Sequence, residues 1–177
     1  KFFTFYLLFV SMLLYNTLTR REEEFSPSSD NTVRMYVCGL TVYARGHIGN
    51  FRTFVCIDIL RRTLKHLAGF QLRQVVNFTD VDDKTIQASR EAGVPLRDYT
   101  NRFIEAFRDD SAVLGIQVVE EYPRATDVEN LRAMNEQIEF LEERGHTYRS
   151  EGSIYFKIDT MSDYGKLSRL DQQGLKT

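Results

Sequence analysis

The chain has 177 residues, of which 42% are apolar and 27% charged, so it can bury a packed core and a globally disordered polymer is excluded. A net charge of −2 gives no bulk attraction to nucleic acid, and any RNA contact would need a local basic patch. Two cysteines, Cys38 and Cys56, with no CxxC pair exclude a disulfide-stapled scaffold and suit a reducing compartment.

Residues 2–15 are almost continuously apolar, interrupted by Thr4 and Ser11. The run is short for a membrane span, which takes about 20 residues, and no Ala-x-Ala-like cleavage site follows it. We read residues 1–11 as an apolar leader or translated extension before Met12. Residues 13–18 read as a short strand. Residues 20–29, with three successive glutamates and a Pro-Ser cluster, read as a solvated connector.

Residues 33–37 form the first core strand. In 51–68, Phe54, Ile57, Leu60, Leu64 and Leu67 repeat at helical spacing, with Arg61, Arg62 and Lys65 toward the end where positive charge suits the dipole. Cys56 is assigned to the packed side of that helix. A second strand spans 70–78. Strand, helix and strand imply a right-handed parallel crossover, whose functional crevice lies beyond the strands' carboxyl ends.

Helices follow over 82–92 and 97–114, the second with Tyr99, Phe103, Phe107 and Leu114 on one face. Asp80, Asp82 and Asp83 are best explained as negative charge at a helix start. After the connector 117–124, Thr126 and Glu129 have capping-box spacing. The helix they open would turn Val128, Leu131, Ile138 and Leu141 inward. A hairpin is expected from 147–149 and 153–158 across Glu151-Gly152, and His66 and His146 fall near helix ends at the surface.

The residues that carry chemistry cluster in 36–53. An apolar strand breaks at Cys38-Gly39, crosses a loop with Gly46 and Gly49, and enters a helix near Asn50. Strand, glycine-bearing loop and helix start form a phosphate cradle, because free N–H groups and the positive dipole end coincide there. Its glycine pattern matches neither the dinucleotide nor the Walker fingerprint. A thiol, Cys38, and an imidazole, His47, are expected to converge over the mouth of the crossover, with Thr79 in the same crevice.

At these residues a family resemblance appears. His47-Ile48-Gly49-Asn50 resembles the His-Ile-Gly-His signature of class I aminoacyl-tRNA synthetases. Cys38-Gly39-Leu40-Thr41-Val42-Tyr43, with the histidine nine positions after the cysteine, is similar to the cysteinyl-tRNA synthetase family in particular. The blocks Asn16-Thr17-Leu18-Thr19-Arg20, Asn77-Phe78-Thr79-Asp80-Val81-Asp82-Asp83-Lys84, Pro123-Arg124-Ala125-Thr126 and Tyr164-Gly165-Lys166-Leu167-Ser168-Arg169 also fit, in order. The likeness covers 12–170.

The resemblance implies an α/β fold: the first half of a Rossmann-like class I synthetase nucleotide-binding domain over 12–115. The start of an αβ connective insertion would occupy 116–177. It implies that His47, Gly49 and Asn50 bind ATP, with His47 and Asn50 catalytic, and that Cys38, Gly39, Thr41 and Thr79 meet the amino acid. Cys38 would be one ligand of a zinc ion that selects the substrate thiolate, and Mg²⁺ would accompany ATP. Asn50 departs from the signature: an amide donates hydrogen bonds but is never cationic, and at a helix start it also caps well.

The reaction implied is ATP-dependent activation of cysteine and its transfer to tRNA(Cys), in the cytoplasm, by a monomer with no membrane contact. The second lysine-rich family signature is not found in these residues, so a truncated N-terminal part, inactive alone, is expected. The alternatives are a cysteine ligase acting on an amino-sugar and a non-catalytic binding module. Lys166 and Arg169 suit either tRNA contact or a solvated loop.

Overall fold

A computed structural model of the chain describes residues 12–169; the proposed leader over 1–11 lies outside them. Residues group into two compact units, 26–130 and 12–25 with 131–169.

The first unit is built on β3 (Thr32–Val37), α1 (Ile48–His66) and β4 (Gln71–Val76). β3 and β4 pair in parallel from Thr32 opposite Gln71 to Val37 opposite Val76, so the helix between them is a crossover, as expected. The sheet extends beyond the regular strands. Thr41 bridges Thr79, while Glu121 and Arg124 pair in parallel with Val75 and Phe78. The segment after Gly115, expected to open the insertion, therefore stays with the nucleotide-fold unit, and Val119 joins its core.

That core gathers Val42, Phe51, Phe54, Val76, Phe78, Ile104, Phe107 and Val119. Phe107 is its hub: its ring stacks on Phe51 at 5.7 Å and meets Phe54 and Phe78 edge-on at 4.9 and 5.4 Å. Each fully buried ring contributes about 1.5–3 kcal/mol by area alone. Phe107 comes from α3 (Leu96–Val113), so this packing holds α3 against the crossover. The short α2 (Asp83–Glu91) is capped by Asp82, whose Oδ1 accepts the Lys84 N–H, which agrees with negative charge at that helix start.

Two assignments on α1 change. Its buried side is Phe51, Phe54, Asp58, Arg61 and Leu64, whereas Leu67 is exposed. Arg61 does not serve the dipole at the surface. It is buried and donates to both Glu120 oxygens and to Gln74 Oε1. Periodicity counts apolar residues only, so a buried ion pair that bridges helix and sheet rotates the face without leaving a trace in it. Cys56 is exposed rather than packed, because two positions after Phe54 place it about 200° round the helix.

The second unit contains β1 (Leu13–Asn16) and β2 (Arg21–Glu24), an antiparallel pair. The glutamate run is thus a strand, not a connector. Arg21 Nε and then Asn16 Nδ2 donate to Glu23, which ties the charged strand down and holds the Glu23 carboxyl at about 2, well below the usual carboxylate range. β5 (Thr147–Ser150) and β6 (Ser153–Phe156) form the expected hairpin, but β6 stops before a 3-10 turn at Ile158–Thr160. α4 (Val128–Glu143) starts in the first unit and continues into the second. It buries no residue, and the expected inward positions Val128, Leu131 and Ile138 are exposed.

Candidate active site

The helix start is set by His47, not by Asn50. His47 is the N-cap of α1, with extended backbone, and its Nδ1 accepts the Gly49 N–H at 3.1 Å. Asn50 stands at the third helical position and returns the bond: its Oδ1 accepts the His47 N–H at 3.0 Å. Each side chain satisfies a donor that the helix geometry leaves orphaned. An acceptor role for Nδ1 places the imidazole proton on Nε2, which makes no hydrogen bond to the described residues. The ring is therefore a donor held in one orientation by the helix it starts.

Gly49 makes that orientation attainable. A Cβ there would lie 3.0 Å from His47 Cε1 and 3.1 Å from Nδ1, tight against the ring. Gly46 has a similar role one step earlier, where a Cβ would press on Phe51 and Leu40 at 3.0 and 3.1 Å. The first turn of α1 carries no acidic residue, so the positive end of its dipole is uncompensated. Three N–H groups expected to be free are already used, however. Those of His47 and Gly49 go to the capping box, and that of Asn50 goes to the His47 carbonyl.

A cavity of about 410 Å³ lies against this helix start, lined by Gly39, Leu40, Thr41, Tyr43, Ala44, Arg45, Gly46, His47, Asn50 and Lys84. That volume suits a small molecule. None of its lining residues is acidic. The loop is fastened from behind by α3. Tyr99 donates its hydroxyl to the Tyr43 carbonyl at 2.9 Å, and Arg45 donates to both Asp110 oxygens, at 2.6 and 3.0 Å. The Arg45 guanidinium holds the Asp110 carboxyl below its usual range.

Of the residues singled out in the sequence, Gly39, Thr41, His47 and Asn50 line this cavity, and Gly49 lies under the His47 ring. Cys38 and Thr79 do not line it. The lining begins one residue after Cys38, where the strand has ended and the chain turns. Thr79 is used by the sheet. Its backbone pairs with Leu40 and Val42, and its Oγ1 accepts from Asn77 Nδ2.

Gly39 is required by a close approach of its own. A Cβ at this position would sit 1.6 Å from the Asn77 carbonyl oxygen. Asn77, to which the sequence reading assigned no role, fastens the chain on both sides of Cys38. Its Oδ1 accepts the Tyr36 hydroxyl and the Gly39 N–H, each at 3.0 Å. Desolvation, and then the Cys38 charge beside it, push the Tyr36 phenol above its ordinary value. Cys38 is a free, exposed thiol. Among the described residues no group of three or more His, Cys, Asp or Glu side chains gathers to hold a metal ion, so these residues alone do not make a zinc centre.

Asp80 was expected to act as negative charge at a helix start. It is buried instead, accepting from Arg124 Nε at 2.8 Å, from the Thr126 N–H at 3.0 Å and from the Thr126 hydroxyl. Burial pushes its carboxyl up, but the Thr126 and Arg124 bonds outweigh that and hold it below the usual range. Arg124 also reaches Asn101 and Thr100 on α3. Thr126 therefore anchors the sheet edge to Asp80 rather than forming a capping box with Glu129. Asp80, Arg124 and Thr126, all within the resemblance blocks, are scaffold.

Comparison with known proteins bears on this geometry. Residues 24–177 match the family model described as the class I (C) tRNA synthetase catalytic domain. The cysteine–tRNA ligase of Brachyspira hyodysenteriae is 48% identical over 164 residues, 93% of this chain and 34% of that protein. The one from Methanococcus maripaludis is 43% identical over 162 residues, 92% of this chain and 33% of that protein. The chain thus spans about a third of the length of the curated relatives it matches. Among solved structures, Mycobacterium tuberculosis methionyl-tRNA synthetase in complex with methionyl-adenylate superposes with a TM-score of 0.61 at 22% identity. It covers 66% of this chain and 23% of that one, a likeness of fold. The family match over 24–177 places this chain in the class I (C) tRNA synthetase catalytic-domain family.

Proposed function

We propose that the chain forms the histidine-bearing half of a cysteine–tRNA ligase active site. ATP activates cysteine there, and the cysteinyl group passes to tRNA(Cys). The observation that carries the reading is the His47 cap, with Nδ1 engaged by the helix and the Nε2 proton unengaged beside an acid-free cavity. In the activation step a cysteine carboxylate oxygen bonds to the α-phosphorus of ATP and the bond to pyrophosphate breaks. Negative charge builds on the phosphoryl oxygens, and a donor already fixed in place stabilises that charge with little reorganisation. Asn50 maintains the cap through Oδ1 and keeps its Nδ2 protons for a ligand.

Mg²⁺ would accompany ATP. Cys38 would give one thiolate to a zinc ion that reads sulfur against oxygen, with its other ligands from outside the described residues. Such a metal selects cysteine over serine where shape alone would discriminate poorly. We place the protein in the cytoplasm as a monomer; among the described residues no helix is long and apolar enough to cross a membrane.

The test is calorimetric titration of the chain with ATP. Saturable binding is expected, weakened about tenfold in His47→Ala by loss of one charge-assisted bond. No saturable ATP binding, or binding indifferent to His47→Ala, refutes the reading.

A further inference from the structure

We infer that Lys84, from the first turn of α2, is the cationic phosphate contact of this cavity. The inference rests on the ATP-site reading above. Two full cations line the cavity, Arg45 and Lys84. Arg45 spends Nε and Nη2 on Asp110, so its charge is compensated from behind. Lys84 forms no ion pair among the described residues; its Nζ rests 5.3 Å from the centre of the Tyr43 ring, and Tyr43 itself lines the cavity.

Asp82 and Asp83 adjoin Lys84 in sequence, but Asp82 accepts the backbone N–H of Lys84 and neither carboxylate pairs with Nζ. A lysine in the first turn also stands at the dipole end that disfavours positive charge. The location is costly for a structural lysine and apt for one that meets an anion. An ammonium over an exposed ring is held weakly, and its flexible stem lets it exchange that ring for a phosphoryl oxygen. His47 and Asn50 bring neutral donors to the same cavity, so Lys84 is its uncompensated charge.

The experiment compares the whole chain with Lys84→Met, which keeps the stem over Tyr43, and Lys84→Arg, which keeps the charge. ATP, inorganic tripolyphosphate and adenosine are titrated at two salt concentrations. Lys84→Met should weaken ATP and tripolyphosphate about tenfold, flatten their salt dependence and leave adenosine unchanged. Lys84→Arg should restore ATP to within about threefold. If Lys84→Met binds ATP as the wild type does while His47→Ala does not, this inference falls and the ATP-site reading stands. If the wild type binds no ATP, both fall.

Discussion

Gly49→Ala separates folding from function at the helix start. The glycine does not have a positive φ, so alanine fits the backbone, and the replacement gains about 0.4–1 kcal/mol by restricting the unfolded chain. Against that, the new Cβ would lie 3.0–3.1 Å from the His47 ring, which must swing away and give up the Gly49 N–H. Losing one N-cap bond costs about 0.5–2 kcal/mol, with the lower half apt for an exposed cap whose other bond, from His47 N–H to Asn50, survives. The terms nearly cancel, and the expected net change is within about 1 kcal/mol. The orientation of the ring is lost nonetheless, because nothing else holds Nδ1.

Urea unfolding measures the first effect, and nitrogen chemical shifts of the His47 imidazole measure the second. The wild type should show the Nε2–H tautomer, the variant a mixture of tautomers, and ATP affinity should fall with it. An unchanged tautomer with unchanged affinity would show that Gly49 does not set the histidine. A loss above about 3 kcal/mol would show that the ring cannot yield and that the ledger is wrong.

At Gly39 the sign differs, since the obstacle is backbone: a Cβ 1.6 Å from the Asn77 carbonyl forces β3 and β4 apart. Gly39→Ala should cost about 3 kcal/mol or more, and a melting temperature within a few degrees of the wild type would contradict this. Acid should weaken the first unit through its ion pairs. The Arg61 guanidinium holds Glu120 at about 2 rather than 4.5, despite partial burial, and Asp80 is depressed by Thr126 and Arg124. A folded-state value below the unfolded one means that the Glu120 contribution is complete above about pH 4.5 and is lost as pH falls toward 2. Glu120→Gln should flatten that limb of the stability curve; an unaltered slope between pH 5 and 2 would refute the assignment.

The crossover was legible because its elements announce themselves locally. Apolar runs of strand length flank a helix with 3.6-residue spacing, and Gly69, Gly93 and Gly115 stand where the helices stop, all with positive φ. The helix start was legible as a candidate site because His47 and two glycines sit at a strand-to-helix loop. What escaped were contacts between residues distant in sequence. Glu120 meets Arg61 across 59 positions, Arg124 meets Asp80 across 44, and Asp110 meets Arg45 across 65. In the sequence Arg61 and Asp80 read only as charges that suit the dipoles of their own helices, and Glu120, Asp110 and Arg45 carry no local signal.

The sequence by itself determined the type and order of the central elements and the place of the histidine, since hydrophobic period and turn chemistry are local properties. Only the tertiary structure decided which charges are buried, and that Thr126 serves Asp80 instead of its helix. Those outcomes depend on which groups desolvate one another across the sheet, and an unpaired buried charge costs enough to override any preference its own segment has.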